Sequence, residues 1–193
     1  MPHRLSRRLS ICDAALDLAA GGGNHAVTHS AIDAALGIAK GSTSYYFRTR
    51  AALIDAAIDF LTERSRARFA ELSGGTTTEI SVDGAAAQIA AYLVDLLGQR
   101  RRDLLARYAF APDAAADEGH RAALARCLFS IDAATGLLDA LGADDPSARA
   151  ADLLTLIEGI ALDFTYGHRS LTADEPHDVV EELVRRWLVA LVA

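Results

Sequence analysis

The stretch that decides the fold runs from Val27 to Leu53 and reads VTHSAIDAALGIAKGSTSYYFRTRAAL. Thr28 is suited to cap a helix, because its hydroxyl can accept a hydrogen bond from a free backbone N–H. Ile32 and Leu36 then recur at the spacing of one helix face. Gly37 follows, and glycine adopts the left-handed conformation of a turn without steric cost. The stretch therefore predicts a short helix that ends at a glycine turn.

A second short helix is predicted directly after this turn, over Ala39–Phe47. It opens with small or polar residues, including Lys40 and Ser42, and it ends in aromatic residues, including Tyr45 and Tyr46. Small side chains near a helix N-terminus can approach base edges in the major groove of DNA. Tyrosine and lysine side chains can reach phosphates. The alternative is an ordinary helical hairpin in which the two tyrosines are half-buried in the core.

The composition of the 193-residue chain favours an all-α fold. Apolar residues make up 51% of the sequence and aromatic residues only 6%. Many of the apolar residues are alanines, which favour helix. Only four prolines occur, and no window alternates apolar and polar residues as a half-buried strand would.

The two cysteines, Cys12 and Cys127, are far apart in sequence and fit no metal-binding spacing. We expect two buried thiols in a reduced, cytoplasmic chain. The arginines near the N-terminus are not followed by the apolar segment of a signal peptide. No apolar run approaches the roughly 20 residues that a membrane-spanning helix needs.

Charge is distributed unevenly along the chain, whose formal net charge is −7. Residues 1–50 carry six Lys or Arg against three acidic residues, whereas residues 51–193 carry 13 against 23. A basic N-terminal part on an acidic remainder is expected when one end of a protein meets phosphate. Many soluble proteins show such a bias, so it supports DNA binding only together with the helical motif.

Apolar periodicity and turn residues predict about nine helices in two domains. We expect a three-helix helix-turn-helix domain over residues 1–50 and a linking helix over residues 49–72. A loop at residues 73–78 leads to a second helical domain over residues 73–193. The helices predicted outside the motif are Arg4–Ala20, Thr49–Leu72, Val82–Gly98, Gln99–Ala111, Asp117–Leu141, Pro146–Gly167 and Pro176–Val192.

The stretch from Arg4 to about Leu61 resembles the N-terminal DNA-binding domain of the TetR/AcrR family of transcriptional regulators. The family pattern over its second half is close to G-V-S-K-G-T-L-Y-x-Y-F-x-S-K-x-x-L. Order, spacing and chemistry agree with it over about fifty residues. The matching residues are Thr28, Ile32, Gly37, Ile38, Lys40, Gly41, Ser42, Tyr45, Tyr46, Phe47, Arg50, Ala52 and Leu53.

The resemblance implies a set of DNA-contacting residues in the two short helices and at the start of the next. Three positions depart from the family. Thr43 replaces a buried Leu and should loosen the core slightly, Ser44 replaces a DNA-facing Tyr, and Ser30 replaces a common Arg. The operator sequence should therefore differ from that of typical members. The implied DNA contacts are Thr28, His29, Ser30, Lys40, Ser42, Ser44, Tyr45, Tyr46 and Arg50.

The resemblance also implies a homodimer, because the last two helices of this family pair with their copies across a two-fold axis. A dimer would place two recognition helices about one DNA turn, ~34 Å, apart. The alternative is that these apolar helix faces form a purely intramolecular core. The predicted interface residues are Leu153, Ile157, Ile160, Phe164, Leu183, Trp187 and Leu191.

The resemblance further implies a small-molecule site among the middle helices, so residues 73–193 are expected to form a helical ligand-binding and dimerisation domain. A ligand pocket combines apolar walls with a few polar groups, although the same residues also describe an ordinary helical core with aromatic fillers. The candidate lining residues are Tyr92, Arg107, Tyr108, Phe129 and Phe164.

The sequence thus favours a homodimeric transcriptional regulator, a repressor more readily than an activator, that an effector releases from palindromic operator DNA. GxSxG, P-loop, GxGxxG and HExxH motifs are absent. We therefore expect no enzymatic activity, no cofactor and no metal. The alternative is a helical ligand-binding protein or enzyme that keeps this fold but has lost DNA recognition.

Overall fold

The computed structural model describes residues 2–73, 80–172 and 176–193. Within these ranges the chain is helical and contains no β-strand, which confirms the predicted all-α class. Most of the loop predicted over residues 73–78 lies outside the described residues. The α-helices are α1 (Pro2–Gly22), α2 (His29–Ala35), α3 (Ser42–Tyr46), α4 (Arg50–Ser73), α5 (Val82–Leu97), α6 (Arg101–Ala109), α7 (Ala111–Ala116), α8 (Glu118–Arg126), α9 (Ile131–Ala140), α10 (Pro146–Tyr166) and α11 (Pro176–Val192).

The chain packs as two compact units, and neither unit is continuous in sequence. The first unit comprises Met1–Ala67 and Arg101–Leu128, and the second comprises Arg68–Arg100 and Phe129–Ala193. Residues 101–128 therefore pack with the N-terminal helices. The division into sequential domains at residues 1–50 and 73–193, joined by a linking helix over residues 49–72, stays a prediction.

The core of the first unit is built from α1 and α4. Ile11 and Leu16 of α1 are fully buried, and so are Leu53 and Leu61 of α4. Burying a side chain of this size contributes about 1.5–3 kcal/mol. The short helix α2 packs against α1, and α3 packs against α2. The packing on α1 thus positions α2 directly and α3 through α2.

An ion-pair network attaches α6 to α1 and α4 within the first unit. The guanidinium of Arg102 donates to Asp17 and Asp13, both at 2.9 Å, and to the buried Asp103 at 3.1 Å. Arg64 of α4 donates to Asp13 at 3.2 Å. Burial opposes the charge of Arg102, but the hydrogen bonds to Asp17 and Asp13 raise its pKa above the usual range. The network thus holds residues 101–109 against the N-terminal helices.

Both cysteines are free and buried, as the sequence predicts. Burial is the main cause that raises the pKa of the Cys12 thiol to about 11. The thiol therefore stays protonated at neutral pH and acts as an apolar core group.

Three predicted helices have the wrong boundaries. The helix predicted over Ala39–Phe47 is shorter, because α3 spans Ser42–Tyr46 and Gly41, with φ 90°, lies before it. The helix predicted over Asp117–Leu141 is two helices, α8 and α9, separated by residues 127–130. Ser130 ends the break because its hydroxyl accepts a hydrogen bond from the backbone N–H of Ala133 and so caps α9. The helix predicted over Gln99–Ala111 ends at Ala109, and α7 begins at Ala111, so Pro112 lies in the first turn of a new helix, where proline is tolerated.

In the second unit, α11 packs on α5 and α10, and α10 packs on α5 and α9. Leu93, Leu138, Ala161 and Leu188 are fully buried and contribute one core residue from each of the four helices.

No helix in the described part of the chain is long and apolar enough to span a membrane.

The Arg102 network gives a prediction about stability. Arg102→Ala removes one cation from three carboxylates, and one of these, Asp103, is buried. We expect the free energy of unfolding to fall by about 1–3 kcal/mol, measured by urea denaturation. Arg101→Ala is the matched control, because Arg101 is exposed and no ion pair joins it to another described residue. Equal stability of the two variants would contradict the prediction.

Candidate nucleic-acid interface

The helix-turn-helix framework forms from the residues that predict it. The hydroxyl of Thr28 accepts a hydrogen bond from the Ala31 backbone N–H at 3.1 Å and caps α2. Ile32 is fully buried. Gly37 has φ 61°, in the left-handed region, and the Ile38 backbone N–H donates to the carbonyl of Asp33 at 3.0 Å to close the turn. The cap and the glycine turn are thus confirmed.

A buried carboxylate fixes the start of α3. Asp33 accepts hydrogen bonds from the Gly41 N–H at 2.7 Å, the Thr43 N–H at 2.8 Å and the Thr43 hydroxyl at 2.7 Å. Thr43 is fully buried, and Asp33 is 3% exposed. The threonine that replaces the usual leucine therefore has a polar partner in the core. Gly41 reaches φ 90° immediately before α3, a conformation that favours glycine.

The ionisation of Asp33 depends on these donors. Burial alone would raise the pKa of its carboxyl group. The hydrogen bonds from the Thr43 hydroxyl, the Thr43 amide and the Gly41 amide outweigh burial, so the pKa is lowered from its ordinary value. Asp33 is therefore charged near neutral pH, and it satisfies backbone N–H groups that a helix start leaves without partners.

Five of the predicted DNA contacts have exposed side chains: Thr28, Ser30, Lys40, Ser44 and Tyr45. Tyr45 is 66% exposed, and its ring meets that of Tyr46 edge to face with centroids 5.3 Å apart. Lys40 is the only lysine in the sequence. These side chains come from the start of α2, from the turn before α3 and from α3 itself.

Four other predicted contacts are held more closely by the protein. Ser42 and Tyr46 are half-buried. Nε2 of His29 is 2.8 Å from the Phe47 carbonyl, and it carries the hydrogen because a carbonyl only accepts. Arg50 donates to both carboxylate oxygens of Asp113 and to the Asn24 carbonyl. His29 and Arg50 therefore make internal contacts, and their predicted contacts with DNA stay predictions.

Sequence reasoning missed three residues of this site. Asp33 gives no recognisable signal, since its donors come from eight and ten residues further along the chain. Arg8 donates to the Tyr46 carbonyl at 3.0 Å, and its guanidinium lies 4.3 Å from the centroid of the Phe47 ring, so it anchors the end of α3. Arg48 is exposed just after α3 and forms no ion pair with a described residue. The sequence could have identified Arg48, because its charge directly follows the aromatic residues at the end of α3.

The five predicted ligand residues fall in different units. Tyr92, Phe129 and Phe164 belong to the second unit, where the Tyr92 and Phe129 rings lie edge to face at 6.2 Å. Arg107 and Tyr108 belong to the first unit. They line a surface cleft of about 360 Å³ together with Ala111, Ala114, Ala115, Arg121, Leu124 and Ala125.

Most of the predicted dimer residues face the core of their own chain. Leu153, Ile157, Ile160, Phe164 and Leu191 are each at most 8% exposed. Leu183 is half-buried and Trp187 is 41% exposed. Other apolar residues of the last two helices are also exposed: Leu162, Tyr166, Val179 and Val189.

Two known protein families match most of the chain. Residues 11–57, which contain the helix-turn-helix, match the family of bacterial regulatory proteins named after tetR. Residues 81–190 match the tetracyclin repressor-like C-terminal domain. The chain belongs to the TetR family of transcriptional regulators. Proteins of this family are DNA-binding regulators and not enzymes.

Solved structures of TetR-like proteins share this fold. A transcriptional regulator from Rhodococcus sp. is 22% identical, with 95% of each chain covered and a TM-score of 0.74. The multidrug binding protein EbrR, complexed with ethidium, is 24% identical over 97% of this chain and 99% of its own, with a TM-score of 0.68. A regulator from Saccharomonospora viridis, in complex with choline, is 16% identical over 95% and 96%, with a TM-score of 0.75. None of the curated proteins compared with the chain matches it.

The Asp33–Thr43 contact gives a prediction about the TetR-type helix-turn-helix. Asp33→Ala leaves three donors without an acceptor, and the two from Thr43 are buried, so we expect the free energy of unfolding to fall by about 3 kcal/mol. Adding Thr43→Leu replaces the orphaned hydroxyl with the usual apolar side chain. The double variant should therefore recover part of the loss, and the two substitutions should not be additive.

The matched control for Asp33→Ala is Asp59→Ala, because Asp59 is exposed on α4. We expect this control to change stability by no more than about 0.5 kcal/mol. Urea denaturation of these three variants and of the single variant Thr43→Leu measures both effects. Additive losses in the double variant would show that Asp33 and Thr43 do not act as a pair.

Proposed function

We propose that this protein is a homodimeric, ligand-responsive repressor that binds palindromic operator DNA in the cytoplasm. The observation that carries the proposal is the exposed set of Lys40, Ser44 and Tyr45 at α3, on a framework fixed by buried groups. Small residues let the backbone approach base edges. A cation and a phenol supply phosphate contacts.

The helix-turn-helix supports specific recognition because its rigidity does not depend on the contact residues. Asp33, Ile32 and Thr43 are buried and fix α3 from within. The exposed residues therefore face solvent, and a side chain can differ among them without loss of the fold. Ser44, which is shorter than the usual tyrosine, would alter which bases are contacted.

A second copy of the chain is the partner that we propose for α10 and α11. Tyr166 is 62% exposed, Leu162 and Val189 are each 50% exposed, and Trp187 is 41% exposed. Exposed apolar side chains on two adjacent helices suit an isologous interface, in which the same surface meets its copy. Within the predicted interface, Leu183 and Trp187 would contact the copy, while the other residues support the helices from inside.

The proposed effector is a small molecule, as in the relatives that bind ethidium and choline. Such a ligand would need differential affinity for two arrangements of the protein to change DNA binding. Tyr92, Arg107, Tyr108, Phe129 and Phe164 remain the candidate contacts. The cleft that contains Arg107 and Tyr108 is lined mostly by alanine and leucine, as an apolar ligand requires.

DNA binding is tested by fluorescence anisotropy on duplexes selected from a random-site library, over a range of salt concentrations. We expect log affinity to fall linearly with log salt, by about 0.9 for each neutralised phosphate. Lys40→Ala should weaken binding and also change the selected sequence. Arg126→Ala is the matched control, because Arg126 is exposed in the same unit and forms no ion pair with a described residue. Absence of salt-sensitive binding by the wild type would refute the proposal.

The dimer is tested by analytical ultracentrifugation of Trp187→Asp. The aspartate carboxylate would be buried in the interface without an opposite charge, which disfavours association. We therefore expect a shift from dimer to monomer and weaker binding to palindromic DNA. Ile131→Asp is the control, because Ile131 is an exposed apolar residue at the start of α9. An unchanged dimer in Trp187→Asp would show that this surface is not the interface.

A further inference from the structure

The family resemblance predicts a DNA contact for Arg50, but its guanidinium already makes hydrogen bonds within the protein. Its two terminal nitrogens donate to the two carboxylate oxygens of Asp113, and the Nη2–Oδ2 distance is 3.2 Å. Nη2 also donates to the Asn24 carbonyl at 2.7 Å. The Asn24 side-chain amide lies 3.5 Å from Oδ2 of Asp113. The three residues thus close a ring of hydrogen bonds.

This arrangement competes directly with a phosphate. Arg binds carboxylate and phosphate through the same planar pair of N–H donors, so one fork serves one partner at a time. The Asp113 side chain is 16% exposed and that of Arg50 is 37% exposed. The pair is therefore partly shielded from water, while the arginine keeps access to solvent. The carboxylate of Asp113 takes the place that a phosphate would take at Arg50.

The position of Asp113 in the chain makes the contact more than local. Asp113 lies on α7, which is 63 residues further along the chain than Arg50 at the first residue of α4. A second contact joins the same segments, since Nε2 of His120 lies 3.0 Å from Oδ1 of Asp55. The α7–α8 segment is thus bound to the first turns of α4 at two points. Three residues of α7 also line the surface cleft, so a change at the cleft would reach Arg50 through Asp113.

We infer that Asp113 is a positioning residue that holds Arg50 away from the DNA backbone. The inference rests on the proposed DNA-binding function. Each copy of the first unit then binds DNA without the phosphate contact that Arg50 could make. Movement of α7 away from α4 returns that contact, so the Arg50–Asp113 pair sets how strongly, and with what salt dependence, the protein binds any DNA sequence.

The test is the salt dependence of DNA binding by full-length Asp113→Asn. Asparagine keeps the size of the side chain but removes the charge that holds Arg50. We expect the slope of log affinity against log salt to steepen by about 0.9 for each copy, or about 1.8 for a dimer. The affinity advantage over wild type should therefore shrink about tenfold between roughly 50 and roughly 200 mM salt. The gain should be the same on selected and unrelated duplexes, because phosphates carry no sequence information.

Two controls separate this effect from a general change in charge. Glu118→Gln removes one negative charge from the neighbouring helix, where Glu118 is exposed, and it should leave the slope at the wild-type value. The double variant Arg50→Gln with Asp113→Asn removes the released cation, so its slope should also return to the wild-type value. A steeper slope in the double variant or in Glu118→Gln would overturn the inference.

Failure of the inference and failure of the proposed function give different results. If the wild type shows no salt-dependent binding to any duplex, both are lost. If the wild type binds but Asp113→Asn keeps its slope or binds more weakly, only the inference is lost. Circular dichroism shows whether Asp113→Asn is folded. If it is not folded, the salt dependence of Arg50→Gln alone is the test. If Asp113 holds Arg50 away from DNA, this variant keeps the wild-type slope. If Arg50 contacts phosphate in the wild type, the variant has a slope shallower by about 0.9 for each copy.

Discussion

The carboxylate of Asp33 is the interaction on which the helix-turn-helix depends. It accepts three hydrogen bonds, two from backbone amides at the start of α3 and one from the buried Thr43 hydroxyl. A five-residue helix has almost no stability of its own, so its position must come from contacts outside it. Asp33 supplies these contacts from α2, and Arg8 supplies others from α1 at the far end. The geometry of the residues that we propose to face DNA therefore follows from groups outside that set.

In a chain with a net charge of −7, several arginines of the first unit are paired with carboxylates. Arg64 and Arg102 are bound by carboxylates within the first unit, and Arg50 is bound by Asp113. These arginines hold the unit together. Lys40 and Arg48, which lie next to α3, form no ion pair with a described residue. In the proposed complex, each of these two cations would strongly affect the strength and salt dependence of phosphate contacts.

The proposed control by a ligand requires that a distant event change the DNA-binding helices. The packing of residues 101–128 with the N-terminal helices gives a direct route, because this segment is joined to α1 through Arg102 and to α4 through Asp113 and His120. Proteins of similar fold have been crystallised with ethidium and with choline. One fold thus serves different ligands, and the identity of a ligand is set by local residues.

The sequence alone determined the helical class, the Thr28 cap, the Gly37 turn and the family, because these depend on local propensity and on spacing within a few turns. Only the tertiary structure decided the partners of Asp33, the inward contacts of His29 and Arg50, and the burial of most of the predicted dimer residues. It also divided the helix predicted over Asp117–Leu141 into two. Apolar periodicity identifies a buried face but not what covers it, and it cannot show that Arg50 and Asp113, 63 residues apart in the chain, form an ion pair. Contacts of that kind exist only once the long helices have packed.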